Sequence, residues 1–559
     1  MMAISLGVAS MILAVMGMSA LNIPVNRVNL LAVFMTFLGL WILWGYLKRW
    51  RRVVPKNFIK RRDLMENLIL GITFFCLFLL RSVQMSEVFV PNWFDGIVHT
   101  SLVQNFIVKE KISIDRIYHI GFHAIALVVT QLSGTEVPQT VLLLGQWFSV
   151  ICGFTFYSFA RRITHSVYLA FFGLLAYLLL LYFPSHLVSW SRYPFLLGLT
   201  LLPPTILTTM DWIDNHKGNY FLTLILVTSL IFSHYGSFLI WVSHVLVHLV
   251  YRITVGDLKH NVVKGKSILI RSLLLFSPLL VFVSPKVINL LGRQNVIESM
   301  VLRGSDPDLG IDTLHVLDLV FDNNFLLVLI WILVSIWLFF KGRHLFWIVF
   351  AWPITVLFLT WIQYSLLGIS ISSYINFIIF LSMPLAIAFG FLFYRASLLI
   401  PKLHFSWKPP VASHLIKRSL QVFLVVTIIP GMFTNFKIIV PETIIFTKED
   451  RYAMEWISKN TSNDSVFLVR STFWGSNMFL PSDGGGWINL LTGRQIVYPQ
   501  AIGELYDVCV FARENEANYI YFGKPSGDVL FDLRLTDLDE GSYRVVYESP
   551  NVEILYLLC

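Results

Sequence analysis

Residues 29–47 read NLLAVFMTFLGLWILWGYL, and residues 48–62, which follow at once, read KRWRRVVPKNFIKRR. The first stretch is uncharged and falls within the roughly 17–25 apolar residues that a helix needs to cross a bilayer. The second stretch holds eight basic residues and no acid. An uncharged helix that runs into a basic loop is typical of a membrane span whose following loop is cytoplasmic.

The composition extends this pattern to the whole chain. Of 559 residues only 13% are charged and 56% are hydrophobic, whereas soluble domains carry roughly 25% charged residues. A soluble fold cannot bury so much apolar surface, which excludes soluble enzymes, disordered chains and secreted disulfide scaffolds. The sequence predicts an α-helical polytopic membrane protein with about thirteen transmembrane helices. The expected spans lie near 3–21, 29–47, 64–83, 137–160, 166–183, 194–212, 219–233, 236–251, 267–284, 325–340, 345–363, 374–394 and 419–439.

The loops predict the orientation of these spans. Basic residues at 48–62, 161–162, 259–266, 341–343 and 395–418 fall on one side if the spans alternate. The opposite loops carry more acids than bases. The positive-inside rule therefore predicts a plasma-membrane protein with a cytoplasmic N-terminus. The net charge of +9 is mostly this topology signal, and it does not indicate a nucleic-acid partner.

Two regions are expected. Residues 1–440 form a multi-pass transmembrane domain whose first large outer loop spans about 84–136. Residues 441–559 carry 17 acids and 9 bases, with one helix-like segment and several β-rich runs separated by turns. This composition predicts a small extracytoplasmic α/β domain. Cys509 and Cys559 share it, so a disulfide is allowed there, and the sequence leaves open whether it forms.

The first outer loop contains the most informative polar residues, because ionisable groups at the membrane edge tend to mark function. Residues 91–99 read PNWFDGIVH. A helix would place Asp95 and His99 on one face, four residues apart. One interpretation is a general base with a partner that shares a metal. The alternative is that Asp95 caps the helix and that His99 is an interfacial side chain.

Three other outer positions could meet this loop: Arg192-Tyr193, His234-Tyr235 and Arg303. An arginine at the membrane surface suits a phosphate, because its planar fork donates two parallel hydrogen bonds. The alternative for each is an interfacial anchor. No zinc spacing, phosphate-binding loop or nucleophile elbow accompanies these residues. The glycine-rich run 483–486 either binds an acceptor or forms a surface turn.

Taken together, these features resemble the C-type glycosyltransferase superfamily, membrane enzymes that take sugars from polyprenyl-phosphate carriers. The resemblance rests on Asp95 in the first outer loop after a span, and on the Tyr-x-x-Gly-Phe-His segment from Tyr118 to His123. Closely spaced spans and a C-terminal α/β domain complete it. That domain contains an AMEWI helix at 453–457 and an SDGGGWINLLTGR run at 482–494. Many members carry paired acids at the first-loop site, but here Gly96 follows Asp95.

The resemblance implies inverting transfer of a hexosyl or pentosyl group from a polyprenyl-phosphate donor to an extracytoplasmic glycan, lipid or protein. Asp95 would deprotonate the acceptor hydroxyl, and Arg192 or Arg303 would stabilise the departing phosphate. The expected substrate-binding residues are His99, Tyr118, His123, Arg192, Tyr193, His234, Tyr235 and Arg303. No cofactor is required by these residues, and whether a divalent metal takes part is left open because the second acid is missing.

Two other functions compete with this interpretation. A lipid-linked glycan flippase or other transporter would place ionisable residues near the bilayer midplane on broken helices, commonly in two related halves. The sequence shows few midplane charges and no evident halves. The other alternative is a non-catalytic accessory subunit of glycan assembly or a degenerate enzyme, which the missing second acid leaves open.

The orientation is testable by cysteine labelling in intact cells. The 48–62 loop holds eight basic residues and the tail after Val440 has a net charge of −8, from 9 bases and 17 acids. We therefore expect a membrane-impermeant thiol reagent to label a cysteine placed at Lys524 but not one at Lys56. The reverse labelling pattern would overturn both the orientation and the enzyme interpretation.

Overall fold

A computed structural model describes most of the chain. The described residues are 2–47, 61–112, 119–215, 219–254, 262–277, 325–341, 344–365, 374–399, 438–473, 479–499, 507–524 and 541–559.

The described residues up to position 399 mainly form helices. Their bounds are α1 Met2–Ala20, α2 Arg27–Leu47, α3 Arg61–Gln84, α4 Trp93–Val108, α5 Gly121–Ser133, α6 Val137–Thr164, α7 Val167–Leu175, α8 Tyr193–Asn215, α9 Tyr220–Ser233, α10 Tyr235–Thr254, α11 Val262–Leu274, α12 Phe325–Phe340, α13 His344–Phe346, α14 Trp352–Ser365 and α15 Tyr374–Leu399. A π-helical stretch, Ala176–Leu180, extends α7, and another, Trp347–Ala351, joins α13 to α14.

Seven of these segments are long and apolar enough to cross a membrane: Met2–Ala20, Leu64–Gln84, Val137–Thr164, Tyr193–Asp214, Tyr235–Thr254, His344–Ile362 and Asn376–Arg395. Five shorter apolar helices accompany them within the described residues. The predicted fold class, a helical polytopic membrane protein with a small C-terminal α/β region, is therefore confirmed, whereas the count of about thirteen spans stays a prediction. One of the short helices, α5, was not among the predicted spans. The predicted span 419–439 lies almost entirely outside the described residues.

The helical core is assembled around α6 and α8. Helix α8 packs against α6, α9 and α10, and α7 packs against α15. The largest side chains enclosed there include Tyr177, Trp241 and Trp352, and each is 0% exposed. Peripheral helices bury much less of their surface. In α3, for example, only 11% of the apolar stretch within Leu64–Gln84 is buried. This gradient is expected when inner helices bury their side chains in protein and outer helices face lipid.

The C-terminal region forms a small α/β domain, as predicted. Its helices are α16 Lys448–Asn460, α17 Ile488–Thr492 and α18 Val508–Glu514, and its strands are β1 Val466–Val469, β2 Ser471–Phe473, β3 Phe479–Pro481, β4 Gln495–Val497, β5 Tyr519–Phe522, β6 Tyr543–Ser549 and β7 Val552–Leu557. Five strands form one sheet in the order β4-β1-β5-β7-β6, and β2 pairs with β3. Strands β4, β1 and β5 are parallel, whereas β7 and β6 add as an antiparallel edge.

Local side-chain bonds explain why the helices of this domain begin where they do. Thr447 and Asp450 form a reciprocal capping box at the start of α16. The Asp507 carboxylate accepts hydrogen bonds from the N–H groups of Cys509 and Val510 at the start of α18. Each bond satisfies an amide that has no partner within its own helix.

A disulfide joins Cys509 in α18 to Cys559 after β7, so the pairing that the sequence allowed is present. Because it closes a segment with a sequence separation of 50, it restricts the unfolded chain. We expect Cys559→Ser to lower the local free energy of unfolding at β7 and α18 by about 2–4 kcal/mol. Hydrogen exchange of the β7 amides measures this change.

Cys76→Ser is the matched control, because Cys76 is exposed on α3 and forms no disulfide. Equal protection of β7 in the Cys559→Ser variant and in the control would contradict a stabilising role.

Candidate functional site

The first turn of α4 places Asp95 at the end of the helical domain. Asn92 occupies the N-cap position, and its side chain forms no capping bond. Asp95 is the third residue of the helix, so the interpretation of Asp95 as a helix cap is wrong. Its half-buried carboxylate forms no hydrogen bond or ion pair with any described residue. A carboxylate in the first helical turn is still favoured by the helix dipole.

Gly96 explains why a second acid cannot follow Asp95. A Cβ atom at this position would lie 2.5 Å from the carbonyl oxygen of Pro91 and 2.7 Å from its carbonyl carbon. Contacts this short with backbone cannot be relieved by turning a side chain. The chain therefore folds back over α4 so tightly that only glycine fits beside Asp95.

Two residues with left-handed backbones hold the segment before α4 against the segment before α8. Trp93 has φ +59° and Ser191 has φ +50°. The Ser191 hydroxyl donates a 2.5 Å hydrogen bond to the carbonyl oxygen of Asn92. Non-glycine residues with such angles each cost of order 1–3 kcal/mol and persist only where neighbouring contacts enforce them. The strain therefore lies next to Asp95 and Arg192.

Arg192 is the described residue whose positive charge acts on Asp95. Burial raises the pKa of the Asp95 carboxyl to about 6, and the positive charge of Arg192 opposes this rise. Arg192 forms no ion pair within the described part of the chain, and its guanidinium lies 5.7 Å from the centre of the Trp190 ring. A base with a pKa near 6 is mostly ionised at neutral pH and can still accept a proton.

Four histidines surround this pair of charges. His99 Nδ1 lies 3.1 Å from His123 Nε2, and the ring of His119 lies 4.8 Å from that of His234. His234 Nδ1 accepts a hydrogen bond from the Ser237 N–H at 3.3 Å, which places its proton on Nε2. The predicted helical spacing of Asp95 and His99 is present, but His99 bonds to His123.

Three of these imidazoles, those of His99, His119 and His234, are neutral at physiological pH. Burial lowers the pKa of His99 to about 3, and His119 lowers it further, while a hydrogen bond with the Ser191 backbone acts in the opposite direction. Burial also lowers the pKa of His119 to about 4. The pKa of His234 is lowered by burial, His119 and Arg192. Neutral imidazoles can both donate and accept hydrogen bonds.

Aromatic side chains form the wall behind the histidines. Tyr193 lies 5.4 Å from Phe122 and 6.3 Å from His99, measured between ring centres. Phe195 lies 4.4 Å from His234, and Tyr235 meets His119 edge-on at 5.9 Å. The predicted residues Asp95, His99, His123, Arg192, Tyr193, His234 and Tyr235 are thus brought together.

The N-termini of four helices meet at this site. Helix α4 begins at Trp93, α5 at Gly121, α8 at Tyr193 and α10 at Tyr235. Gly121 allows the close approach of α5, since a Cβ there would lie 3.0 Å from the Phe232 carbonyl oxygen. Helix N-termini carry partial positive charge and free N–H groups, so their convergence favours a bound anion.

Two predicted residues, Tyr118 and Arg303, lie outside the described residues. Sequence reasoning did not assign site roles to His119, Phe122, Phe195 and Ser191. The signal for the first two was their place inside the Tyr118–His123 segment. In the described ranges, no group of three His, Cys, Asp or Glu side chains is arranged to hold a metal ion.

These features define the class: a polytopic helical membrane protein with a C-terminal α/β domain and a polar site where helix ends meet. A family model described as "Family of unknown function (DUF6541)" matches residues 1–376, more than half of the chain. The chain belongs to this family. No curated protein matches it.

Two solved structures are similar to the chain. Both are crystal structures of ArnT from Cupriavidus metallidurans. The form bound to undecaprenyl phosphate is 13% identical over 87% of this chain and 97% of its own, with a TM-score of 0.47. The apo form is 14% identical over 88% and 98%, with a TM-score of 0.49. Both scores lie below 0.5, so the likeness is too loose to assign an activity.

The electrostatic coupling between Asp95 and Arg192 is testable without a substrate. Because the guanidinium charge lowers the pKa of the Asp95 carboxyl, we expect Arg192→Gln to raise that pKa above about 6. An infrared titration of the purified protein, with Asp95→Asn used to assign the carboxyl band, measures the pKa.

Arg162→Gln is the matched control. Arg162 forms an ion pair with Asp211 at the other end of α8, about 27 Å along the helix from Tyr193 at 1.5 Å per residue. This control should leave the Asp95 pKa unchanged. An Asp95 pKa that is equal in the wild type and in Arg192→Gln would show that the two charges do not interact.

Proposed function

We propose that this protein is a membrane glycosyltransferase that transfers a sugar from a polyprenyl-phosphate donor to an acceptor hydroxyl outside the cytoplasm. The observation that carries the proposal is that Asp95 and Arg192, which interact electrostatically without forming an ion pair, lie where four helix N-termini meet. Asp95 has no hydrogen-bond partner among the described residues, and Arg192 has no ion-pair partner among them. Both groups are therefore available to a substrate.

The chemistry follows from what each group can do. Asp95 accepts the proton of the acceptor hydroxyl, and the oxygen attacks the anomeric carbon of the donor sugar. The bond from that carbon to the phosphate oxygen breaks, so the configuration inverts and the lipid phosphate leaves. Arg192 and the helix N-termini stabilise the charge on the departing phosphate. Arg303 stays a predicted second cation at this position.

The neutral histidines suit a sugar. Sugar hydroxyls both donate and accept hydrogen bonds, as neutral imidazoles do. His119 and His234, which are only half-buried, would bind the sugar without adding positive charge that competes with Arg192 for the phosphate, whereas His99 and His123 are buried and stay predicted contacts. Tyr235 supplies a ring against which an apolar face of the sugar packs, whereas Tyr193 is buried against Phe122 and stays a predicted contact. Tyr118 stays a predicted contact.

Asp95 and Arg192 are sufficient for the proposed step. Gly96 stands where many members of the resembled superfamily have their second acid, and the described residues include no group of three His, Cys, Asp or Glu side chains arranged to hold a metal ion. Arg192 and the amide dipoles therefore carry the positive charge in this scheme. Peripheral helices that bury few side chains, such as α3, leave lipid-facing surface for a polyprenyl tail.

A transporter is the second candidate, and one observation favours it. His244 lies midway along α10, is 2% exposed, and neither of its ring nitrogens has a hydrogen-bond partner among the described residues. One turn further, His248 Nε2 lies 3.1 Å from Asp214 Oδ1. Buried ionisable groups inside a membrane often mark a transport path. Movement of a lipid-linked sugar across a vesicle bilayer without sugar transfer would favour this candidate.

Asp95→Asn tests the proposed base. We expect turnover to fall by about 10²–10⁴-fold, because an amide cannot accept the proton. The variant should fold normally, since Asp95 bonds to no described side chain and Asn92, not Asp95, occupies the N-cap position. Turnover is measured with a panel of polyprenyl-phosphate sugars, and donor binding is measured beside it.

Asp211→Asn is the matched control, because Asp211 lies on α8 at the opposite end of the helical domain. Retained donor binding with lost turnover in the Asp95 variant, against normal turnover in the control, supports the base. Near-normal turnover by Asp95→Asn would remove Asp95 from the mechanism. A wild-type protein that transfers no sugar from any donor would instead favour the accessory-subunit alternative.

A further inference from the structure

The C-terminal domain contacts the segment that carries Asp95. Val90 is part of a buried cluster with Trp487, Tyr521 and other residues of that domain, and Phe89 and Ile97 pack against it. The Arg451 guanidinium of α16 lies 5.3 Å from the centre of the Phe89 ring. Residues 89–97, which bracket Asp95, therefore belong to the core of the α/β domain as much as to the helical domain.

The glycine-rich run forms this contact, so its interpretation as a surface turn is wrong. Gly484, Gly485 and Gly486 are all buried. Asp483 fixes the run, since its two carboxylate oxygens accept hydrogen bonds from the N–H groups of Gly485 at 2.9 Å and Gly523 at 2.8 Å. A Cβ at Gly486 would lie 2.6 Å from Ile97 Cδ1 and 2.8 Å from Pro481 Cβ.

The same domain also holds the segment that carries Arg192. Ser189 Oγ lies 2.6 Å from Thr443 Oγ1 and accepts a 2.8 Å hydrogen bond from the Val440 N–H. Both hydroxyls are buried, Ser189 at 0% and Thr443 at 2% exposed. Residues 440–443 lead directly into α16. The base and the arginine are thus each fastened to the C-terminal domain by a buried contact.

We infer that the C-terminal α/β domain sets the geometry between Asp95 and Arg192, with Ile97, Gly486 and Ser189 as positioning residues. The inference rests on the proposed function, and it assigns the domain a part in the reaction beyond any binding of acceptor. Gly486 meets Ile97 on the Asp95 side, and Ser189 meets Thr443 on the Arg192 side. A shift of about 1 Å in a reacting group can change a rate by about 10²-fold.

The close packing of Gly486 against Ile97 can be overcrowded by one substitution and relieved by a second. Gly486→Ala adds the methyl group that meets Ile97 Cδ1, and Ile97→Val removes that same Cδ1 atom. We expect Gly486→Ala to lower kcat about 10- to 100-fold with KM within about threefold. The double variant should recover part of the lost kcat, because removal of Ile97 Cδ1 relieves one close contact of the added methyl group while the 2.8 Å approach to Pro481 Cβ remains. Ile97→Val alone should cause a smaller loss than Gly486→Ala.

A substrate-free readout separates this inference from the proposed function. An infrared titration of the Asp95 carboxyl in the same four proteins reports its surroundings whether or not any sugar is transferred. The Asp95 pKa should shift in Gly486→Ala and move back toward the wild-type value in the double variant. A protein that shows this pattern but no turnover would sink the proposed function and leave the positioning role standing.

Two further variants complete the design. Gly71→Ala is the matched control, because a Cβ on Gly71 of α3 meets nothing within 4 Å, so its turnover and Asp95 pKa should match the wild type. Ser189→Ala removes the contact on the Arg192 side and should shift the Asp95 pKa as well, which keeps the test decisive if Gly486→Ala fails to fold. Unchanged kcat and Asp95 pKa in folded Gly486→Ala and Ser189→Ala would overturn the inference. A double variant no better than Gly486→Ala would also overturn it.

Discussion

The hydrocarbon core of a bilayer offers a peptide group no hydrogen-bond partner, and this constraint governs the arrangement of the whole protein. Backbone groups inside it must bond within helices. Charged side chains are then confined to helix ends, to loops or to buried positions with partners. Asp95, Arg192 and His234 all lie at the starts or ends of helices. The site therefore lies at the edge of the hydrocarbon core, where burying a charged side chain costs less free energy.

Helix ends also supply the electrostatics of the site. An N-terminus exposes N–H groups with partial positive charge, and four of them meet around Asp95 and Arg192. Burial raises the pKa of Asp95 and keeps His99, His119 and His234 neutral. Positive charge is consequently concentrated in Arg192 and the amide dipoles. One carboxylate, one guanidinium and neutral hydrogen-bonding rings form a site suited to a neutral sugar joined to an anionic phosphate.

Glycines decide how closely the parts of the site approach each other. At Gly96 the chain folds closely over the first turn of α4. At Gly121 helix α5 packs against the end of α9, and at Gly486 the C-terminal domain packs against Ile97. A side chain at any of these positions would meet atoms within about 3 Å. The geometry of the charged residues thus depends on the absence of side chains at three distant points in the sequence.

The sequence alone determined the membrane class, most of the spans, the C-terminal α/β domain and the importance of the loop around Asp95. These features depend on local composition and periodicity, since a run of apolar residues specifies a span without reference to its neighbours. Only the tertiary structure decided that Asn92 rather than Asp95 occupies the N-cap position, that His99 meets His123, and that the run at 483–486 is buried. It also brought Gly486 to Ile97 and Thr443 to Ser189, residues separated by more than 250 positions in the chain. Such contacts depend on how helices and sheet pack against one another, and pairwise packing between distant segments leaves no periodic signal in a single sequence.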